Sequence, residues 1–279
     1  MIKRASPAKV NLYLRVLRKR EDGYHSIATL MQRISLYDEM EFSPGDDGIV
    51  VKCPGSTLPE NEGNIVYKAA KSLLSHASCS AGVEIIIRKG IPVAAGLGGG
   101  SSNAATTLMT LNDLMEFNYS AQDLMEIGAG LGADVPFFVL GKTAWAFGIG
   151  DRLQVAGNIP RLWFVLINPL FEVSTKTIYG GLNLRLTTRE KKFTVPRFCT
   201  SEGVAGALHN DLERVTVKLH PVLQKIKQLL IAQGALGSLM SGSGPTVFGV
   251  FADEKSALDA EKKLRAEGKW FVFTARSVN

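Results

Sequence analysis

The chain has 279 residues, 46% of them hydrophobic, and a net charge of +6 from 32 basic and 26 acidic side chains. That apolar content supports a sizeable core and excludes a disordered chain, while the length admits one large domain or two ordinary ones. Cys53, Cys79 and Cys199 stand far apart with no Cys-x-x-Cys pair, and the four histidines lack metal-ligand spacing. Neither a disulfide framework nor a zinc site is expected, and reduced thiols point to the cytoplasm. The basic excess is modest, and its densest run, Arg15 to Arg20, is followed at once by acidic residues. A site for a polyanionic small molecule explains it as well as a nucleic acid does, and for most of these charges a solvated surface suffices. No nucleic-acid partner is expected. Apolar runs such as Leu162 to Ile167 fall far short of the ~20 residues that span a bilayer, so no membrane role is expected either. The first residues carry no apolar signal core, and no cleaved targeting segment is expected.

In chain order, Lys9 to Val16 alternates cleanly and reads as a half-buried strand. Val10, Leu12, Leu14 and Val16 form its apolar face, while Lys9 and Asn11 stand side by side on the other. A lysine beside an amide suits an anion or a sugar hydroxyl; an ordinary solvent face explains it too. Asp38–Phe42 and Ile49–Lys52 flank Pro44-Gly-Asp-Asp-Gly48 and read as a hairpin. Residues 54–63 form a loop, after which Asn64 caps a helix over 65–77 with Ile65, Val66, Ala69, Ala70, Leu73 and Leu74 on its apolar face.

Val83 to Arg88 is a β-branched strand, and Thr106 to Asn112 reads as a helix. Between them lies Pro92-Val-Ala-Ala-Gly96-Leu-Gly98-Gly-Gly-Ser101-Ser102-Asn-Ala-Ala105. Glycines allow close backbone approach, and the first N–H groups of a helix favour an anion, so strand, glycine loop and helix together make a phosphate cradle. No Lys-Ser or Lys-Thr follows the glycines, which excludes a Walker A loop. Ser101 stands where a dinucleotide fingerprint needs a small apolar residue or glycine. The one match to that fingerprint, Gly128 to Ala133, follows a helical pattern rather than a strand and reads as a helix C-terminus.

Ser120-Ala-Gln-Asp123 reads as a capping box opening a helix to about Leu131. Asp134 then lies in a turn between apolar elements, with Pro136 extending the chain. Ala144 to Gly150 is a strand ending in a turn, and the chain turns again at residues 157–160. Trp163 to Asn168 is a strand; Ser174 and Thr175 open a short helix reaching Leu182, with Tyr179 on it. Residues 182–200 are polar and basic and read as a loop. Pro221 opens a helix ending before Gly234. Ser241-Gly-Ser-Gly-Pro-Thr246 is a tight turn leading into a strand, Asp253 caps a helix ending at Gly268, and Trp270 to Ala275 closes as a strand. Strand, helix, strand, helix, strand suggests a ferredoxin-like second domain.

Pro92 to Ala105 resembles the ATP-binding motif of the GHMP kinases, the galacto-, homoserine, mevalonate and phosphomevalonate kinases. Pro7-Ala-Lys9-Val-Asn11-Leu-Tyr-Leu, followed by Arg20-Glu-Asp22-Gly23-Tyr24-His25, is similar to the N-terminal signature of that family's branch acting on a cytidine diphosphate derivative. Arg18 departs from it, since the branch usually has glycine there. Gly132-Ala-Asp134-Val-Pro-Phe-Phe resembles the segment carrying the family's catalytic aspartate, and Ser241 to Thr246 resembles its third motif. Asp151 stands where the family often has Glu. The resemblance implies an α+β, two-domain GHMP kinase fold: a ribosomal protein S5 domain 2-like ATP-binding domain over 1–157 and a ferredoxin-like domain over 158–279.

It further implies ATP-dependent phosphorylation of a small-molecule hydroxyl, with Mg²⁺, by a monomer or weak homodimer. Lys9 and Asp134 are implied as catalytic. Pro92, Val93, Ala94, Ala95, Gly96, Leu97, Gly98, Gly99, Gly100, Ser101 and Ser102 are implied on ATP, with Ser102 a candidate for the metal. Asn64 is implied near the adenine, although a plain N-cap accounts for it equally. Asn11, Tyr24, His25, Thr175 and Tyr179 are implied on the substrate. Tyr24 offers a flat face for the cytosine and His25 a partner for its edge, with core packing the other account of Tyr179.

Overall fold

A computed structural model describes residues 1–157, 159–182, 196 and 199–279. Most of the expected loop 182–200, and the expected domain boundary at Asn158, lie outside the described residues. The described chain forms two compact units, one of residues 1–8, 36–91 and 98–141, the other of residues 9–35, 92–97 and 142–279. Two long strands, β1 (Ile2–Lys19) and β2 (His25–Gly45), contribute a part to each.

In the first unit, β3 (Ile49–Lys52) is followed by α1 (Ile65–His76), β4 (Gly82–Arg88), α2 (Gly99–Leu114), α3 (Ala121–Ala129) and α4 (Val135–Leu140). The expected hairpin is not formed. β4 lies between its two arms, antiparallel to β2 through Glu39↔Arg88 to Gly45↔Gly82 and parallel to β3 through Ile49↔Val83. Val83, Ile85 and Ile87 are fully buried, and a strand this apolar gains most in the middle of a sheet, where both neighbours cover it. α2 begins at Gly99 rather than Thr106: the left-handed Gly98 is its N-cap, and Ser102 to Leu108 are buried along it. Pro136 does not extend the chain. It sits in the first turn of α4, where a missing N–H costs nothing. Asn64 and Ser120 cap α1 and α3 as the pattern predicts, Asp123 completing the capping box.

In the second unit, β5 (Ala144–Gly148) pairs with β2 and with β6 (Arg152–Val155). Then follow β7 (Trp163–Asn168), α5 (Thr175–Gly180), α6 (Ser201–Gly206), β8 (His209–Asn210), α7 (Glu213–Leu219), α8 (Val222–Ala232), β9 (Gly237–Met240), β10 (Val247–Phe251), α9 (Glu254–Ala266) and β11 (Phe271–Val278). The strand order β11-β7-β10-β9 is antiparallel throughout, with α8 joining β7 to β9 and α9 joining β10 to β11. That is the ferredoxin-like arrangement, and its core sets Leu223, Ile226 and Leu230 of α8 and Ala257, Ala260 and Leu264 of α9 with Val165, Ile167, Val247 and Phe251. The sequence reading did not find β6, α6, β8, α7 and β9, all of them short.

Asp38 anchors the first unit just ahead of the glycine loop. Its carboxylate is fully buried, pairs with Lys89, and accepts the backbone N–H groups of Gly90 and Ile91 at 2.9 Å each. Removing one partner of a buried pair leaves the other charge uncompensated. Asp38→Ala should therefore lower unfolding stability by about 3–5 kcal/mol, read as a reduced urea midpoint with an unchanged m-value.

Candidate active site

The glycine loop leaves β4 and enters α2. Gly96 and Gly98 take φ of +77° and +71°, in the left-handed region that glycine adopts without strain. Gly98 is the N-cap of α2 and supplies no side-chain cap, so the first N–H groups of the helix stay available to a ligand. Val93, Ala94 and Gly100 are exposed. This combination fits a polyphosphate. Beside it, Lys89 Nζ lies 3.2 Å from where a Cβ on Gly99 would stand. The sequence reading passed over Lys89, which carries no motif; only its ion pair with Asp38 brings its charge to this helix start.

The other first-unit candidates gather around α2. Asn64 caps α1, its Oδ1 accepting from Val66 N at 2.9 Å, and the next residue, Ile65, packs on Gly100. Ser102 is fully buried, and its hydroxyl accepts from Ser6 at 2.7 Å. The half-buried Ser101 faces Gly132, its Oγ 3.6 Å from where a Cβ there would stand. Asp134 follows two residues later at the start of α4, with an αR backbone and a carboxylate that does not cap the helix. Among the described residues no cluster of three His, Cys, Asp or Glu is arranged to hold a metal.

In the second unit, Lys9 and Asn11 are 4% and 3% exposed, which rules out the ordinary solvent face. Strand alternation cannot tell a wet face from a covered one. Lys9 Nζ donates to Asn11 Oδ1 at 2.6 Å, Asn11 Nδ2 donates to Thr29 Oγ1 at 2.8 Å, and that hydroxyl donates to the Tyr13 carbonyl at 2.7 Å. Thr29 thus fixes which end of the Asn11 amide meets the lysine. Lys9 N also donates to Leu97 O at 2.9 Å, tying β1 to the glycine loop.

The turn Ser241 to Thr246 joins the same group. Ser241 Oγ donates to Gly96 O at 2.9 Å and accepts from Asn11 N at 3.3 Å, and Thr246 N donates to Ala95 O at 3.4 Å. Ser243 Oγ and Thr175 Oγ1 are 2.9 Å apart. The His25 and Tyr179 rings lie 5.0 Å apart at 33°, so two expected substrate residues from distant segments meet, while Tyr179 also packs on the core. Tyr24 is 63% exposed at the tip of a turn closed by Gly23 at φ +85° and by the Arg20–Asp22 ion pair. Arg18 takes the place of the family's glycine by bonding Ser26 Oγ at 3.3 Å across that turn. Burial, helped by the Lys19 charge, holds the His25 imidazole below its ordinary pKa.

A Cβ on Gly96 would collide with the Ser241 carbonyl, whereas one on Gly100 meets nothing closer than Ile65 at 3.6 Å. Gly96→Ala should lower the thermal midpoint by several degrees, while Gly100→Ala, in a helical turn, should hold or slightly raise it. Thermal denaturation of the two variants side by side checks this.

Comparison with known proteins places the family. Residues 64–142 match the GHMP kinases N terminal domain and residues 201–269 the GHMP kinases C terminal domain. A 4-diphosphocytidyl-2-C-methyl-D-erythritol kinase of Syntrophus aciditrophicus is 61% identical over 279 residues, covering 100% of both chains. One of Syntrophotalea carbinolica is 51% identical, covering 98% of each. A crystal structure of 4-(cytidine 5'-diphospho)-2C-methyl-D-erythritol kinase superposes with a TM-score of 0.84 at 34% identity over 100% of both chains. This chain belongs to the GHMP kinase family, in its branch of 4-diphosphocytidyl-2-C-methyl-D-erythritol kinases.

Proposed function

We propose that the chain transfers the γ-phosphoryl group of ATP to the 2-hydroxyl of 4-diphosphocytidyl-2-C-methyl-D-erythritol. The products are the 2-phosphate and ADP, a step of the non-mevalonate route to isoprenoid precursors. The observation that carries this reading is the 61% identity, end to end, with a kinase named for that substrate. ATP as co-substrate follows from the kinase family. The finer assignments are proposals too: a cytoplasmic monomer or weak homodimer, without nucleic-acid or membrane partners, divided into domains 1–157 and 158–279.

Phosphoryl transfer of this kind is mostly positioning and electrostatics. In this reading the backbone N–H groups of residues 96–101, at the positive end of α2, hold the ATP phosphates, Pro92 to Ala95 form the approach, and the Ser102 N–H, which donates to Gly98 O at 2.9 Å, closes the first helical turn beneath them. Lys9, its amine directed by Asn11, neutralises charge on the moving phosphoryl group and orients the acceptor hydroxyl. The acceptor oxygen attacks phosphorus, the bond to ADP breaks, and the hydroxyl proton passes to Asp134. A tertiary alcohol is a poor acid, so that proton leaves late and orientation is the larger part of the Asp134 role. Asn11 and Thr175 bind the acceptor, Tyr24, His25 and Tyr179 take the cytosine, and Asn64 lies by the adenine. Mg²⁺, when bound on the ATP phosphates, offsets their charge. Ser102 is the residue that would hold it, although its side chain is fully buried and its hydroxyl already accepts from Ser6, which makes it a poor ligand.

The test is a substrate panel with ATP and Mg²⁺, following ADP release. Turnover of the diphosphocytidyl compound alone, against homoserine, mevalonate and galactose, supports the reading; turnover of another acceptor instead removes the cytosine roles. Asp134→Ala should abolish turnover, by about 10²-fold or more, while leaving ATP binding measurable by calorimetry. Because burial keeps His25 neutral, protonation should weaken the cytosine contact only as pH falls below the ordinary imidazole value of about 6.5. KM for the cytidine substrate should rise on the acid side in the wild type and stay level in His25→Gln, as steady-state kinetics over pH will show.

A further inference from the structure

The turn that carries Ser241 and Ser243 is itself held by side chains from a short segment outside every motif described above. Asn210, at the end of β8 and 7% exposed, donates through Nδ2 to both Met240 O and Gly242 O at 2.8 Å. Its Oδ1 accepts from Leu212 N at 2.9 Å. Glu213, the first residue of α7, accepts from Met240 N at 2.8 Å and forms an ion pair with Lys227. Thr216 is fully buried, and its hydroxyl lies 3.3 Å from both Leu212 O and Ser243 O. Within seven residues, three side chains reach four backbone groups of Met240 to Ser243. Turn backbone is ordinarily satisfied by water or by its own neighbours. Here both amide hydrogens of one asparagine serve two carbonyls of the turn, and no other neutral side chain of that size presents two donors on one nitrogen, backed by an acceptor.

We propose that Asn210 is a positioning residue for phosphoryl transfer, supported by Glu213 and Thr216. It touches no reacting atom. It fixes the turn so that Ser241 Oγ meets Gly96 O and Asn11 N while Ser243 Oγ meets Thr175 Oγ1, setting one end of the glycine loop and two acceptor-binding residues in register. The inference rests on the kinase reading above. Misplacement of reacting groups by about 1 Å costs up to 10²-fold in rate, so a loosened turn is felt in turnover well before the fold is lost.

The experiment is a kinetic cycle of Asn210→Ala, Ser241→Ala and the double variant, assayed on the diphosphocytidyl substrate below each variant's melting transition. Asn210→Ala should lower kcat/KM by about 10- to 100-fold in the wild-type background. In the Ser241→Ala background, where the link to Gly96 and Asn11 is already gone, the further loss should shrink to about 3-fold or less. Equal losses in both backgrounds, or no loss in the wild type, overturn the proposal. Should Asn210→Ala fail to fold, Thr216→Val takes its place in the same cycle, with a smaller loss that must also shrink. An inactive wild type overturns both this proposal and the kinase reading, whereas an active wild type with an indifferent Asn210→Ala overturns the positioning role alone.

Discussion

The second unit depends on one close approach, backbone of Gly96 against backbone of Ser241. Only a residue without a Cβ allows it, and the Ser241 hydroxyl completes it by bridging the Gly96 carbonyl and the Asn11 amide. Three separate stretches of chain thereby share one set of hydrogen bonds: the strand carrying Lys9, the approach to the glycine loop, and the turn before β10. Lys9 is 4% exposed, and the Asn11–Thr29–Tyr13 hydrogen-bond chain beside it directs its amine.

In the first unit the residues that precede and follow positions 92–97 are each held. Ahead of them, the buried Asp38 carboxylate takes the N–H groups of Gly90 and Ile91 and the Lys89 ammonium. After them, the buried hydroxyls of Ser6 and Ser102 bond one another within the first turns of α2. Between them the chain carries small side chains, with Val93, Ala94 and Gly100 exposed and Gly96 and Gly98 left-handed. A cradle of this kind pays its ordering cost during folding, so little is left to pay when an anion binds.

The ferredoxin-like order of the second unit explains why its turn residues gather. β9 and β10 are antiparallel neighbours, so the connection between them is a short turn at one end of the sheet. β7 runs antiparallel to β10, which places Asn168, at the end of β7, beside the start of β10, where its Nδ2 bonds Thr246 Oγ1 at 2.9 Å. From that end the chain continues to Ser174 and Thr175, and so Thr175 reaches Ser243.

The sequence alone determined the features whose cause is local. The glycine loop, the Asn64 cap, the Ser120–Asp123 capping box, the β-branched β4 and the two helices of the ferredoxin-like unit follow from periodicity, capping chemistry and backbone freedom. The candidate residues followed from the resemblance of three segments to GHMP kinase motifs. Tertiary structure decided the rest. The insertion of β4 between β2 and β3 is a non-local pairing, invisible to a pattern that sees only two strands and a turn. Burial of Lys9 and Asn11 depends on what covers a face, which alternation cannot report. The roles of Lys89 and Asn210 arise from partners 51 and about 30 positions away, Asp38 and the Met240–Gly242 turn, and neither residue has a local signature. Short-range chemistry writes caps, turns and periods into the sequence; long-range hydrogen bonds and coverage come into being only when distant segments meet.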